Sequence, residues 1–414
     1  ARTCAQAPPS PPRRLDASPV DGSRPRLPAH RLRGKPLASP FYTEEHEAFR
    51  AVVRRFVQKE IEPWATQWDE AEGFPRELYE KAAAVGLLGL GFPEDYGGTP
   101  ADLFMWIVVA QELARPGAGG VSASLLSHSI GAPPIARAGS QALKRAVLPD
   151  ILAGKKISAL AITEPGGGSD VARLRTTARR DGDHYVVSGE KTFITSGMRA
   201  DWITTAVRTG GEGPSGVSLL LIPGDSPGLT RTPLRKMGWW ASDTATLHFD
   251  NVRVPAGNLL GPEGAGFLVI MQNFNSERLT MTAGCAEAAR VCLEEATAYA
   301  KERQTFGKPL VRHQVIRHKL VDMAQKIAAT QALLEVLAWR VQNGENPIAE
   351  ICMAKNQATQ TLAFCASEAV QIFGGAGYMR GAKVERIYRE VKVNAIGGGA
   401  EEIMKDLASR QMGL

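Results

Sequence analysis

The 414-residue chain is poor in cysteine, with five residues at positions 4, 285, 292, 352 and 365 that form no CxxC pair and no ligand-like cluster. Such spacing supports neither a zinc site nor a disulfide scaffold, and it fits a reducing compartment. Long hydrophobic runs are also missing. The longest, such as residues 103–110 and 219–222, fall far below the ~18–20 residues of a spanning helix, so an integral membrane protein of that kind is excluded. The body of the chain lacks an excess of either charge. The formal net charge is +6, but residues 1–40 carry eight basic residues (Arg2, Arg13, Arg14, Arg24, Arg26, Arg31, Arg33 and Lys35) against Asp16 and Asp21, which is the whole excess. No basic footprint therefore marks the remainder for nucleic acid. The rest of the composition, 44% hydrophobic and 22% charged, is that of an ordinary soluble globular protein, and the length implies two or three domains.

Residues 1–40 also hold nine of the 26 prolines and no aromatic residue. A stretch of that kind cannot bury enough apolar surface to offset the entropy of ordering, so it is expected to be disordered and to carry no chemistry. Its Arg-rich, acid-poor character suggests an organelle transit leader. The prolines spaced through it prevent an amphipathic helix and favour a non-native or over-extended N-terminus instead. The two readings imply a bacterial-type cytoplasm, or the mitochondrial matrix as the alternative.

The remaining sequence changes texture twice. Residues 41–156 read as an N-terminal helical domain. Thr43 ahead of Glu44 and Glu45 is a candidate N-cap with acids in the first turn, and Pro63 breaks the run that follows. Further helices are expected over 76–84, 101–113 and 141–152. Residues 157–263 turn short and alternating. Segments 176–180 and 184–188 flank Asp181-Gly182-Asp183, a hairpin turn, and 202–208, 217–222 and 245–249 continue the strand pattern. Residues 264–414 return to long helical periods at 268–302, 313–342 and 346–373. The expected fold class is mainly α with a β middle domain.

Four segments carry possible chemistry, and each has a plain structural alternative. Thr163-Glu164-Pro165-Gly166-Gly167-Gly168-Ser169-Asp170 lies where helix gives way to strand. Its glycines allow left-handed backbone and close approach of a flat or phosphorylated ligand, but a simple turn explains them equally. Lys191-Thr192-Phe193-Ile194-Thr195-Ser196-Gly197 reads as a strand ending in a turn. Arg303-Gln304-Thr305-Phe306-Gly307 closes a long helix, with Gly307 suited to a C-cap and Arg303 to the helix terminus or to a phosphate. Gln371-Ile372-Phe373-Gly374-Gly375-Ala376-Gly377-Tyr378 reads as another helix end, or as backbone approaching a cofactor.

Together, in this order and spacing, the four segments resemble the acyl-CoA dehydrogenase family over about residues 42–414. The resemblance implies an N-terminal helical domain, a middle β-barrel and a C-terminal four-helix bundle, assembled as a homotetramer (or homodimer) with FAD in each subunit. It implies Thr163, Ser169, Phe193 and Thr195 as flavin contacts, with Ser169 also facing substrate. It implies Arg303, Thr305 and Phe306 as the group that reaches a neighbouring subunit's FAD, with Gln371 and Gly375 as further contacts to its nucleotide part. The implied partners are an acyl-CoA substrate and an electron-transfer flavoprotein. Arg173 and Gly381 depart from the family's usual small and acidic residues at the motif edges.

The family's reaction needs a glutamate base, which many members carry in a stretch matching Ile396-Gly397-Gly398-Gly399-Ala400. Here that position is Gly398. A replacement lies upstream. Ile270, Phe274, Met281, Cys285, Ala288 and Cys292 are spaced as one apolar helix stripe, and Glu277 falls on it. A carboxylate on a buried face is costly unless a partner or a polar cavity receives it. Pairing with a nearby Arg, or a helix that starts late and exposes it, is the plain alternative. The isovaleryl and long-chain subgroups resemble this arrangement, and the run from Glu402 to Leu407 looks most like the long-chain one. Arg278 then resembles the family's CoA-side arginine. Backbone N–H groups near Gly398 are expected to polarise the thioester carbonyl. No metal is expected. A flavin oxidase or monooxygenase on the same scaffold, or a non-catalytic homologue, is the competing reading. A straight long chain, a short branched chain and an isoprenoid-like acyl group all stay open.

Overall fold

The computed structural model describes residues 39–271 and 274–414, without the side chains of 274 and 275. The expectations for residues 1–38 and for the Phe274 side chain lie outside them. The first helix, α1 (Glu44–Glu60), begins as its sequence indicates. The Thr43 hydroxyl accepts from the His46 backbone N–H at 3.4 Å and His46 Nδ1 accepts from the Thr43 N–H at 2.9 Å, a capping box with histidine in the usual place of glutamate. After it come α2 (Ala65–Glu70), α3 (Glu77–Ala84), α4 (Leu103–Ala114), α5 (Gly119–Leu125), α6 (His128–Gly131), α7 (Pro133–Ala138) and α8 (Gln141–Leu152). The Asp102 side chain caps α4 by accepting from Met105 N–H at 2.9 Å. This helix is apolar around most of its circumference because it is covered on two sides, by α1 and by the first long helix of the C-terminal bundle.

Seven strands follow: β1 (Ser158–Ala161), β2 (Thr177–Asp181), β3 (His184–Ile194), β4 (Trp202–Arg208), β5 (Val217–Pro223), β6 (Leu229–Pro233) and β7 (Ala245–Pro255). They form one sheet in the order β1-β4-β2-β3-β7-β6, with β5 also paired to β4, and the sheet is a half-barrel. The hairpin expected at Asp181-Gly182-Asp183 joins β2 to β3, with Gly182 at φ +61°. Strand β5 reads as a continuous apolar run because both its faces are buried. Val217, Leu219 and Leu221 pack toward α7 and α8, and Leu220 and Ile222 toward the inner face of the sheet. The β3–β7 register slips between Lys191 and Ile194, and this irregularity re-aims the residues of the second motif.

The C-terminal part contains α9 (Gly266–Met271), α10 (Phe274–Glu302), a hairpin of β8 (Gln304–Thr305) and β9 (Lys308–Pro309), α11 (Gln314–Gln342), α12 (Ile348–Phe373), α13 (Lys383–Ile396) and α14 (Glu401–Gln411). Helix α12 is central and packs on α10, α11, α13 and α14. Ile270 lies on α9 and packs with the β5 cluster, whereas Cys285 and Cys292 pack in the bundle core. One expectation needs correction here. Gly307 is not a helix C-cap. With Phe306 at φ +53° and Gly307 at φ +75° it forms the two-residue turn of the β8–β9 hairpin.

Candidate active site

The Gly-rich segment follows β1 and is held from below by a buried ion pair. Glu164 accepts from the Arg175 N–H at 2.6 Å, the Thr176 N–H at 2.8 Å and Lys191 Nζ at 2.9 Å. Lys191 is fully buried and also donates to the Ile162 carbonyl at 2.9 Å. Burial pulls the Lys191 ammonium down to about 8. Burial pushes Glu164 up, but Lys191 and the Thr176 donor outweigh it and leave the carboxyl below its ordinary range. Sequence reasoning missed this pair. A lysine placed between buried neighbours in a strand was the available signal.

The Thr192 N–H donates to the Thr163 carbonyl at 2.9 Å, so the first two motifs are one surface. On that surface a Cβ added at Gly166 or Gly167 meets nothing within 4 Å. Ser169 is exposed and Thr163 and Thr195 are half-buried. Phe193 is 68% exposed at φ +61°, a strained backbone for an aromatic residue and one that functional sites tend to retain. Open backbone, hydroxyls and a free aromatic face together fit a flat heterocycle.

A second surface lies at the far end of the bundle. Tyr299 stacks on Phe373 with ring centroids 4.2 Å apart, tying the end of α10 to the end of α12. Arg303 is exposed, Thr305 shares a hydrogen bond of 3.0 Å with His313 Nε2, and Phe306 at the hairpin tip is 96% exposed. Gln371 and Gly375 are exposed on the α12 side of the same end. At ~1.5 Å per residue, Arg303 sits about 39 Å along α10 from Glu277.

Glu277 lies in the first turn of α10, half-buried, and burial pushes its carboxyl up to about 7 against the pull of Arg278. Arg278 is buried and its Nε donates to the Gly398 carbonyl at 3.4 Å, so α10 and the turn between α13 and α14 meet beside Glu277. In that turn Gly398 is at φ +66° and Gly399 at φ +107°. A Cβ on Gly398 would stand 2.6 Å from Met281 Sδ, one helical turn beyond Glu277. An acid at 398 would strain the left-handed backbone there and require the flexible end of Met281 to move aside. Trp240 is half-buried, and its ring packs against the guanidinium groups of Arg380 at 4.5 Å and Arg389 at 3.7 Å.

Three family models match the chain: "Acyl-CoA dehydrogenase, N-terminal domain" over 43–155, "middle domain" over 159–252 and "C-terminal domain" over 264–413. An acyl-CoA dehydrogenase of Bacillus subtilis is 39% identical over 373 residues, covering 89% of this chain and 98% of the relative. A long-chain specific acyl-CoA dehydrogenase, mitochondrial, of Sus scrofa is 37% identical, with 90% and 87% covered. Among solved structures, a probable acyl-CoA dehydrogenase from Mycobacterium abscessus superposes with a TM-score of 0.88 at 47% identity, covering 90% of this chain and all of that one. Fold and site thus define an oxidoreductase that acts on acyl-CoA thioesters. The chain belongs to the acyl-CoA dehydrogenase family, whose cofactor is FAD. Among the described residues no group of three His, Cys, Asp or Glu side chains could hold a metal, and no helix is long and apolar enough to cross a membrane.

Proposed function

We propose that the protein catalyses α,β-dehydrogenation of a long-chain or branched acyl-CoA to the trans-2-enoyl-CoA, with Glu277 as the base and electrons passed on to an electron-transfer flavoprotein. The observation that carries this reading is Glu277 itself, a half-buried carboxyl held near neutrality beside a turn, Gly397-Gly398-Gly399, that carries no acid of its own. A base poised near the working pH is the one that acid–base catalysis favours. Thr163, Ser169, Phe193 and Thr195 would hold the ring system of FAD, which when bound supplies the acceptor for the β-hydrogen and its electron pair. Glu277 takes the α-proton onto its carboxylate. Arg278 orients the CoA side and keeps the Gly398 turn in register. Backbone N–H groups of that turn face the charge that develops on the thioester oxygen.

The distance along α10 supports a second copy as part of the site. Arg303, Thr305, Phe306, Gln371 and Gly375 lie too far from Glu277 to serve the same flavin, so they would contact that of a neighbouring subunit in a homotetramer or homodimer. The proposal is tested by mixing the holoenzyme anaerobically with a panel of acyl-CoA thioesters. Bleaching of the flavin by one of them is expected, with slow reoxidation by air and fast reoxidation by electron-transfer flavoprotein. Rapid reaction with oxygen would assign an oxidase, and no bleaching by any thioester a non-catalytic role.

A further inference from the structure

The Gly398–Gly399 turn has no side chain with which to anchor itself, and both residues sit at positive φ. A Cβ at Gly399 would strike Met404 at 2.4 Å, and Ala400 offers no side-chain cap to α14. The turn is therefore fastened from outside. Arg278 on α10 holds the Gly398 carbonyl, Lys355 on α12 donates to the Gly399 carbonyl at 2.8 Å, and Asn356 Nδ2 donates to the Glu401 carbonyl at 3.0 Å. Lys355 is fully buried, and among the described residues no carboxylate comes within ion-pair distance of it.

An unpaired buried ammonium is costly to desolvate, whereas a neutral amide fastens a carbonyl without that cost, as Asn356 does on the next residue of the helix. A fully charged donor is favoured where negative charge appears nearby. Burial and the Arg278 cation weaken the hold of Lys355 on its proton, and the Cys285 and Cys352 thiols and Glu401 act the other way, so negative charge appearing at the turn would favour the ammonium.

We propose that Lys355 is a positioning residue for the reaction: its buried ammonium, seated on the Gly399 carbonyl, fixes the Gly398–Gly399 turn so that the backbone N–H groups there meet the thioester oxygen as the α-proton leaves. This rests on the assignment of Glu277 as base. The substrate's α C–H bond breaks, its proton goes to Glu277, and the electron pair delocalises onto the substrate's own thioester oxygen, whose developing charge the N–H groups of the turn hydrogen-bond. Lys355 touches neither substrate nor flavin.

The test compares Lys355→Met, Lys355→Gln and Lys355→Arg with the wild-type holoenzyme. A misplacement on the scale of an ångström at a reacting centre can lower the rate about 10²-fold, so Lys355→Met is expected to lose between ~10- and ~100-fold in kcat with KM little changed, and Lys355→Arg to recover part of it. Two further readouts separate positioning from stability. Hydrogen exchange should rise at the amides of 397–401 and not along α10. A bound 3-oxoacyl-CoA, followed by its enolate absorbance against pH, should enolise at higher pH in Lys355→Met. Unchanged kcat and unchanged enolisation would overturn the proposal. So would failure of both neutral variants to fold alongside a wild-type kcat in Lys355→Arg, since the cation would then be purely structural. Glu277→Gln, measured in parallel, keeps the two ideas apart. An inactive Glu277→Gln with a normal Lys355→Met removes only the role of Lys355, and an active Glu277→Gln removes the base itself.

Discussion

Two glutamates on the bundle helices keep their protons far above the ordinary carboxylate range, and their surroundings differ. Glu277 is pushed up to about 7 by burial, with Arg278 as the one opposing influence, and it keeps a partial opening at the start of α10. Glu390 on α13 is pushed up to about 8, also by burial first, but it is closed in. It accepts from the Gly119 N–H at 2.9 Å, and Asp69, Arg386 and Arg389 crowd around it where α13 meets the N-terminal helices. A raised proton affinity is therefore not a signature of a base by itself. Glu277 is only half-buried, and among the described residues no hydrogen-bond donor to its oxygens is seen. Glu390 has a hydrogen bond and no approach, which suits a group that stitches two domains together.

The comparison breaks most sharply by substitution. Glu277→Gln is expected to keep FAD and lose at least ~10²-fold in kcat/KM, the lower end for a positioned acid–base group. Glu390→Gln should stay within about threefold, since it touches neither substrate nor cofactor. Equal losses in steady-state assays would erase the distinction. A smaller effect sharpens the role of the turn. In a Glu277→Gly background, Gly398→Glu should give little recovery, because the left-handed backbone at 398 is strained by a side chain and Met281 must move to admit its Cβ. Adding Met281→Ala should restore at least ~10-fold by opening that volume, if backbone strain is the lesser barrier.

pH separates the two further. A base must be ionised to work, so kcat/KM should fall about tenfold per unit as pH drops below about 7, and Glu390→Gln should leave that limb where it is. Stability gives the smallest effect. A carboxyl raised in the folded state binds protons that the unfolded chain has released. It therefore withdraws stability as pH climbs from the ordinary carboxylate range to the folded value, about 8 for Glu390. Melting temperature measured across that window should decline less steeply in Glu390→Gln than in wild type.

Much of this was legible in the residues. Thr43 announced its helix, Asp181-Gly182-Asp183 its hairpin, and the strand pattern of 202–208 and 217–222 the strands β4 and β5, though not that they pair. The placement of Glu277 was less secure than its stripe implied: Ile270 packs with the β5 cluster and Cys285 and Cys292 in the bundle core, so one periodic stripe joined residues of two cores. Lys355 was not legible. A single lysine directly after the apolar run from Ile351 to Ala354 reads as an edge position until the turn above it is known. The left-handed backbone of Phe193 was equally hidden, because it comes from a slip between two strands distant in sequence.

The span of α10 carries a consequence of its own. If one end of the helix serves its own pocket and the other end walls a neighbour's, a chain disabled at Glu277 and a chain disabled at Phe306 fail for reasons that lie in different pockets. Co-assembled, they would leave one pocket with both defects and one with none. Two inactive proteins, mixed and reassembled, would then recover turnover that neither has alone.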